Sequence, residues 1–173
     1  LCWLRIPRGT MLRPLDTGWF ADFASLANPR AASGPMAKVT YGPGGERFSG
    51  STFDAASVYR AEAALAHWDS FGLGVAELRA ISLAQTNLIL EILYRARWGD
   101  CVLTSLENAR RGGFVTVRVE GASEVVKRLR AANIFTDARG DGLRFGPAPY
   151  LTDDEIVRGM SAAVALMNEI DPR

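Results

Sequence analysis

Leu143-Arg144-Phe145-Gly146-Pro147-Ala148-Pro149-Tyr150 runs directly into Leu151-Thr152-Asp153-Asp154-Glu155. Leu143 and Phe145 flank Arg144 in a period-two pattern, which predicts a short strand. A charge between two apolar strand residues is costly without an anionic partner. Thr152 and Glu155 have capping-box spacing and open a last helix that runs through Ile170. Just upstream, Gly140-Asp141-Gly142 is a hairpin-like turn, with Ile134-Phe135-Thr136 as the strand before it.

The same alternation continues toward the N-terminus. Ser123 to Ala132 reads as a helix with Val125, Val126 and Leu129 inward. Phe114-Val115-Thr116-Val117-Arg118-Val119 alternates as a strand, Gly112-Gly113 marks a break, and Val102-Leu103-Thr104-Ser105-Leu106 reads as a further strand. From about residue 100 the order is therefore β-β-α-β-β-α. That order makes an α/β layer with helices on one face of a small sheet.

Earlier still, a long helix is expected over Val75 to Arg97, with Leu78, Ile81, Leu88, Ile92 and Leu93 at helical spacing and Gly99 ending it. Asp54 or Ser57 caps a helix carrying Val58, Ala61, Leu65 and Trp68, and Gly72 and Gly74 stop it. Residues 8–50 read as irregular, punctuated by Asn28-Pro29, Ser33-Gly34-Pro35 and Gly42-Pro43-Gly44-Gly45. Long ordered loops are usually functional or draped on a partner. This one carries Trp19, Phe20 and Phe23. Leu1 to Pro7 is apolar enough for a buried strand, and such a strand needs neighbours that the later chain does not supply. The sequence is accordingly expected to be a piece of something longer.

The composition excludes several classes. At 48% apolar and 23% charged, 173 residues suit a soluble globular domain. Twenty basic and nineteen acidic residues nearly cancel, so neither charge nor pattern points to nucleic acid. No apolar run approaches the ~18 residues of a membrane span. Cys2 and Cys101 lack metal-ligand spacing, and two idle thiols in a cytoplasmic protein are favoured over a disulfide. His67, the only histidine, sits beside Trp68 and reads as structural or surface, which disfavours a Ser-His-Asp hydrolase. Gly42-Pro43-Gly44-Gly45 has no Lys-Ser/Thr ending and is not a Walker-type phosphate loop.

Three segments carry more together than apart. They are Arg13-Pro14-Leu15-Asp16-Thr17-Gly18-Trp19-Phe20, Gly45-Glu46-Arg47-Phe48-Ser49-Gly50-Ser51-Thr52-Phe53-Asp54, and the opening Leu143–Tyr150 stretch. In this order and with these gaps, the chain resembles the kynureninase-like branch of class V aminotransferase relatives, fold type I pyridoxal-phosphate enzymes. The resemblance covers essentially the whole chain. It implies the C-terminal part of such an enzyme. Residues 1–72 would be the end of the large cofactor-binding domain with its dimer-interface loops, 73–99 a connecting helix, and 100–173 a small α/β domain with a short, mostly antiparallel sheet.

The resemblance also implies roles. Trp19 matches a family tryptophan whose indole N–H contacts the pyridoxal 5'-phosphate group across the dimer interface; a loop-packed aromatic is the plain alternative. Thr52 matches a phosphate-binding threonine at a helix start, a position suited to a phosphate oxygen. Ser51 stands there in place of the usual glycine, and the plain alternative is a helix cap. Arg144 matches the arginine that grips the α-carboxylate of an amino-acid substrate through two parallel hydrogen bonds. Its plain alternatives are an exposed strand arginine or a salt bridge to Asp141. The family's Schiff-base lysine precedes the strand with which this sequence begins, and neither Lys38 nor Lys127 matches it. The chain alone is expected to be inactive. Within an intact homodimeric parent, hydrolytic Cβ–Cγ cleavage of an L-kynurenine-type substrate is preferred. A class V aminotransferase or cysteine desulfurase relative stands behind it, and a non-catalytic module that kept the small-domain fold is the reading from another class. Residues 8–70 are expected to form a large apolar interface.

Overall fold

The computed structural model describes residues 3–22 and 39–172. The chain divides into two compact units, Leu1–Trp68 and Asp69–Arg173.

In the first unit, residues 3–7 form no strand, contrary to the apolar pattern. Trp3 and Leu4 are 74% and 70% exposed, so no buried neighbour is present to draw them into a sheet. Among its described residues, the loop that follows is irregular, as its Pro and Gly content dictates, apart from two 3-10 turns at Trp19–Asp22 and Gly44–Phe48. Phe23, Asn28-Pro29, Ser33-Gly34-Pro35, Lys38 and Cys2 lie outside the described residues. Helix α1 spans Ala55–Ser70. Of the two candidate caps Asp54 serves: its carboxylate accepts the Ala56 amide at 2.9 Å and the Ser57 hydroxyl at 3.2 Å. No residue of α1 is buried.

The second unit holds a three-stranded antiparallel sheet of β1 (Val115–Arg118), β2 (Asp137–Arg139) and β3 (Gly142–Phe145), in the order β1-β3-β2. Helices α2 (Val75–Arg95), α3 (Ala122–Ala131) and α4 (Asp153–Ile170) complete it. Strand alternation sorts the sheet residues. Val115, Val117, Leu143 and Phe145 are buried in one core with Val125 and Leu129 of α3 and with Ile156, Met160, Ala163 and Met167 of α4. The helix expected as a connector, α2, puts Ile89, Leu90 and Leu93 into the same core. Trp98 fills it from the turn after α2, and its indole N–H donates to Oδ1 of Asn168 at 2.9 Å.

Two expected strands differ. Val102–Leu106 contributes only a bridge from Val102 to Val117, because Thr104 spends its side chain on the Thr116 amide at 2.7 Å. Ile134-Phe135-Thr136 is not the hairpin's first strand; the pairing starts at Asp137. The reason is the end of α3: Asn133 turns to φ 60°, and the Ile134 amide still bonds back to the Leu129 carbonyl at 2.9 Å. Similarly, α2 stops before Gly99. Arg97 takes φ 67°, and the Trp98 amide caps the Leu93 carbonyl at 2.8 Å. The capping box of α4 forms as its spacing requires: Glu155 N–H donates to the Thr152 hydroxyl oxygen at 3.3 Å, and Thr152 N–H donates to the Glu155 carboxylate at 2.8 Å. Among the described residues, no helix is long and apolar enough to cross a membrane.

Candidate functional site

Arg144 stands on β3 with its side chain on the sheet face opposite the helices, since Leu143 and Phe145 point into the core. The hairpin register sets Asp137 directly across from it on β2 and Thr116 across from it on β1. Nε of Arg144 donates to Oδ1 of Asp137 at 2.7 Å, and Nη2 donates to Oδ2. The partner is thus Asp137, not Asp141: a residue of the turn cannot reach along the strand, whereas the cross-strand neighbour is in place. The Arg144 guanidinium lies 5.4 Å from the centre of the Phe114 ring, within cation–π range. The Thr136 hydroxyl donates to the Arg144 carbonyl.

The chemistry of this arrangement follows from the shape of a guanidinium, which has two edges able to hold an oxyanion bidentately. Asp137 takes the Nε/Nη2 edge. The Nη1/Nη2 edge has no partner among the described residues. Arg144 lines a shallow groove of about 480 Å³ with Phe114, Phe135, Thr136, Asp137 and Gly146. The hydrogen bonds from Arg144 hold the Asp137 carboxyl below the ordinary aspartate pKa, and the same pair raises that of Arg144. Phe135, Thr136 and Gly146 also border a cavity of about 650 Å³ walled by Phe145, Pro147, Tyr150 and Leu151. Its proline-rich wall is fixed from α2, where the Gln85 side-chain amide donates to the carbonyls of Ala148 and Leu151 at 2.9 and 3.1 Å.

In the first unit, the two expected cofactor residues belong to segments that meet. Gly18 and Gly50 are in backbone contact: a Cβ on Gly18 would overlap the carbonyl oxygen and Cα of Gly50. Only glycine permits that approach, and it sets the segment before Trp19 against the one before Thr52. Trp19 is 58% exposed and packs edge-on to Phe20 at 5.5 Å. Thr52 is exposed, and it is not the helix cap, a role that Asp54 fills. The surrounding loop is held by the Thr17 and Tyr41 hydroxyls at 2.6 Å, by the Thr40 amide on Asp22 at 2.9 Å, and by the buried Arg47 on the Leu12 carbonyl at 3.2 Å.

Lys127 lies on α3 with its side chain 80% exposed and pairs with Glu124 at 3.6 Å. His67 is exposed on α1, and Cys101 is a free thiol. Reasoning from sequence missed Asp137, Phe114 and the Gly18–Gly50 contact. A two-residue turn at Gly140-Asp141 was the available signal for Asp137, because it pairs 139 with 142 and hence 137 with 144.

The model of the kynureninase C-terminal domain family matches residues 78–163, which includes Arg144 and Asp137. A kynureninase from Deinococcus radiodurans is 30% identical over 131 residues, which is 75% of this chain and 32% of that relative. The chain therefore spans about a third of the length of the curated relative it matches.

Proposed function

We propose that this chain, which matches the kynureninase C-terminal domain model over residues 78–163, serves a pyridoxal-phosphate enzyme of the kynureninase-like family. The intact protein hydrolyses the Cβ–Cγ bond of an L-kynurenine-type amino acid and releases alanine. The carrying observation is Arg144, braced on one edge by Asp137 and open on the other. The open edge binds the substrate α-carboxylate with two parallel hydrogen bonds. Asp137 and the Phe114 ring fix the guanidinium plane, so the substrate α-carbon is held in one orientation.

Trp19 and Thr52 fit the cofactor's phosphate. Both residues are exposed, neither side chain donates to an acceptor among the described residues, and the Gly18–Gly50 approach keeps their segments together. When bound, pyridoxal phosphate supplies an electron sink for bonds at the substrate α-carbon. This chain's own contribution is binding and orientation. Neither Lys38 nor Lys127 matches the family's Schiff-base lysine, so the 173 residues alone are inactive. Leu15, Phe53, Tyr59 and Leu65 are at least 60% exposed in the first unit. That supports burial of this surface in a cytoplasmic homodimer of the intact protein.

The unmatched lysine favours one second reading, a non-catalytic module that retains the small-domain fold. An assay of the intact reading frame with added pyridoxal phosphate separates the two. Alanine released from L-kynurenine, with no amino transfer to an added 2-oxo acid and no sulfur released from cysteine, is the expected result. Transamination or desulfuration instead would assign the aminotransferase or desulfurase relatives, and no turnover of any amino acid would assign the module.

A further inference from the structure

Arg111 closes a turn in which the Arg110 and Arg111 amides both donate to the Glu107 carbonyl at 3.0 Å. Its side chain is buried, at 3% exposure. One terminal nitrogen donates to Oδ1 of Asn87 on α2 and, at 2.8 Å, to Oδ1 of Asn108. Both acceptors are neutral amides. Nε is buried and has no hydrogen-bond partner among the described residues. Arg79, also on α2 and half-buried, donates to the backbone carbonyl of the same Asn108. Two guanidinium groups thus converge on one asparagine, and among the described residues no carboxylate is ion-paired with either.

Burying a cation without an anion is unfavourable, and a second cation beside it adds to the cost. Burial first, and the Arg79 charge second, push the Arg111 pKa below the ordinary arginine value. Residues 23–38 contain no Asp or Glu, so that segment brings no acidic side chain. Among the described residues, no carboxylate supplies the missing charge.

We propose that Arg79 and Arg111, framed by Asn87 and Asn108, form a receptor for a small free oxyanion of the phosphate or carboxylate type. None of these four residues lines the groove at Arg144. An oxyanion with two or more oxygens accepts from Arg111 and from Arg79 together, which neutral amides cannot do for both charges.

Thermal unfolding of the 173-residue chain tests this, with inorganic phosphate titrated against sodium chloride at matched ionic strength. Phosphate is expected to raise Tm saturably while chloride does not. Arg79→Gln, at a half-buried position, is expected to weaken the apparent phosphate affinity by about tenfold, as loss of a charge-assisted donor gives. Asn87→Asp, at an exposed position, places a carboxylate against Arg111; it is expected to raise Tm in chloride and to cancel the phosphate response. Equal behaviour in phosphate and chloride would overturn the proposal. So would a phosphate response that survives both substitutions, since it would belong to another site.

Discussion

Arg144 is one residue with two opposed demands on it. Its backbone belongs to a strand whose neighbours are core, and its charge needs an anion. Asp137 meets half of that demand and the open guanidinium edge states the other half. The pair makes a specific expectation for the intact enzyme. Asp137→Asn leaves the amide oxygen able to accept but removes the charge that holds the guanidinium plane, so KM for the amino acid should rise about tenfold with kcat changed less. Steady-state kinetics that instead show an equal fall in kcat with KM unchanged would remove Asp137 as a positioning residue. The strand alternation that exposed Arg144 was legible in Leu143-Arg144-Phe145 alone. Its partner was not, because the apolar Ile134-Phe135-Thr136 run outweighed the turn geometry in the reading of the hairpin.

At the level of elements, local chemistry was read well where caps and alternation act alone. The Thr152–Glu155 capping box, the Asp54 cap, the Phe114–Val119 alternation and the Ser123–Ala132 helix all depend on nearest neighbours. Legibility ended where a side chain overrides a propensity. Thr104 diverts Thr116, and a left-handed Asn133 or Arg97 ends a helix without glycine. The capping box yields a stability prediction. Thr152→Ala should destabilise the second unit by about 1 kcal/mol, read as a lower denaturation midpoint with an unchanged slope. Acid should weaken the same helix. Glu155 is held below its ordinary pKa by the Thr152 amide and hydroxyl, and Glu169 by the hydrogen bond from Arg128. For groups depressed in the folded state, the stabilisation is complete above the unfolded glutamate value, about 4.3, and is lost as pH falls through the lower folded values. Unfolding midpoints should therefore be flat above about pH 5 and decline below about pH 4, and in Thr152→Ala the decline should be shallower.

On the scale of the whole molecule, the two units differ in kind. The second encloses a core of apolar residues from every one of its helices and from β1 and β3. The first leaves a helix with no buried residue and a loop whose Met11, Leu12, Leu15 and Trp19 are exposed. A sequence pattern shows that residues are apolar; it cannot show what covers them. On the proposed function, the phosphate donors would lie on the first unit, the carboxylate anchor on the second, and the cofactor's attachment on neither. The most direct test is borohydride reduction of the intact protein loaded with pyridoxal phosphate, followed by mapping of the pyridoxyl-labelled peptide. A labelled lysine N-terminal to Leu1 is the predicted result. Label on Lys38 or Lys127, or no label at all, would contradict it.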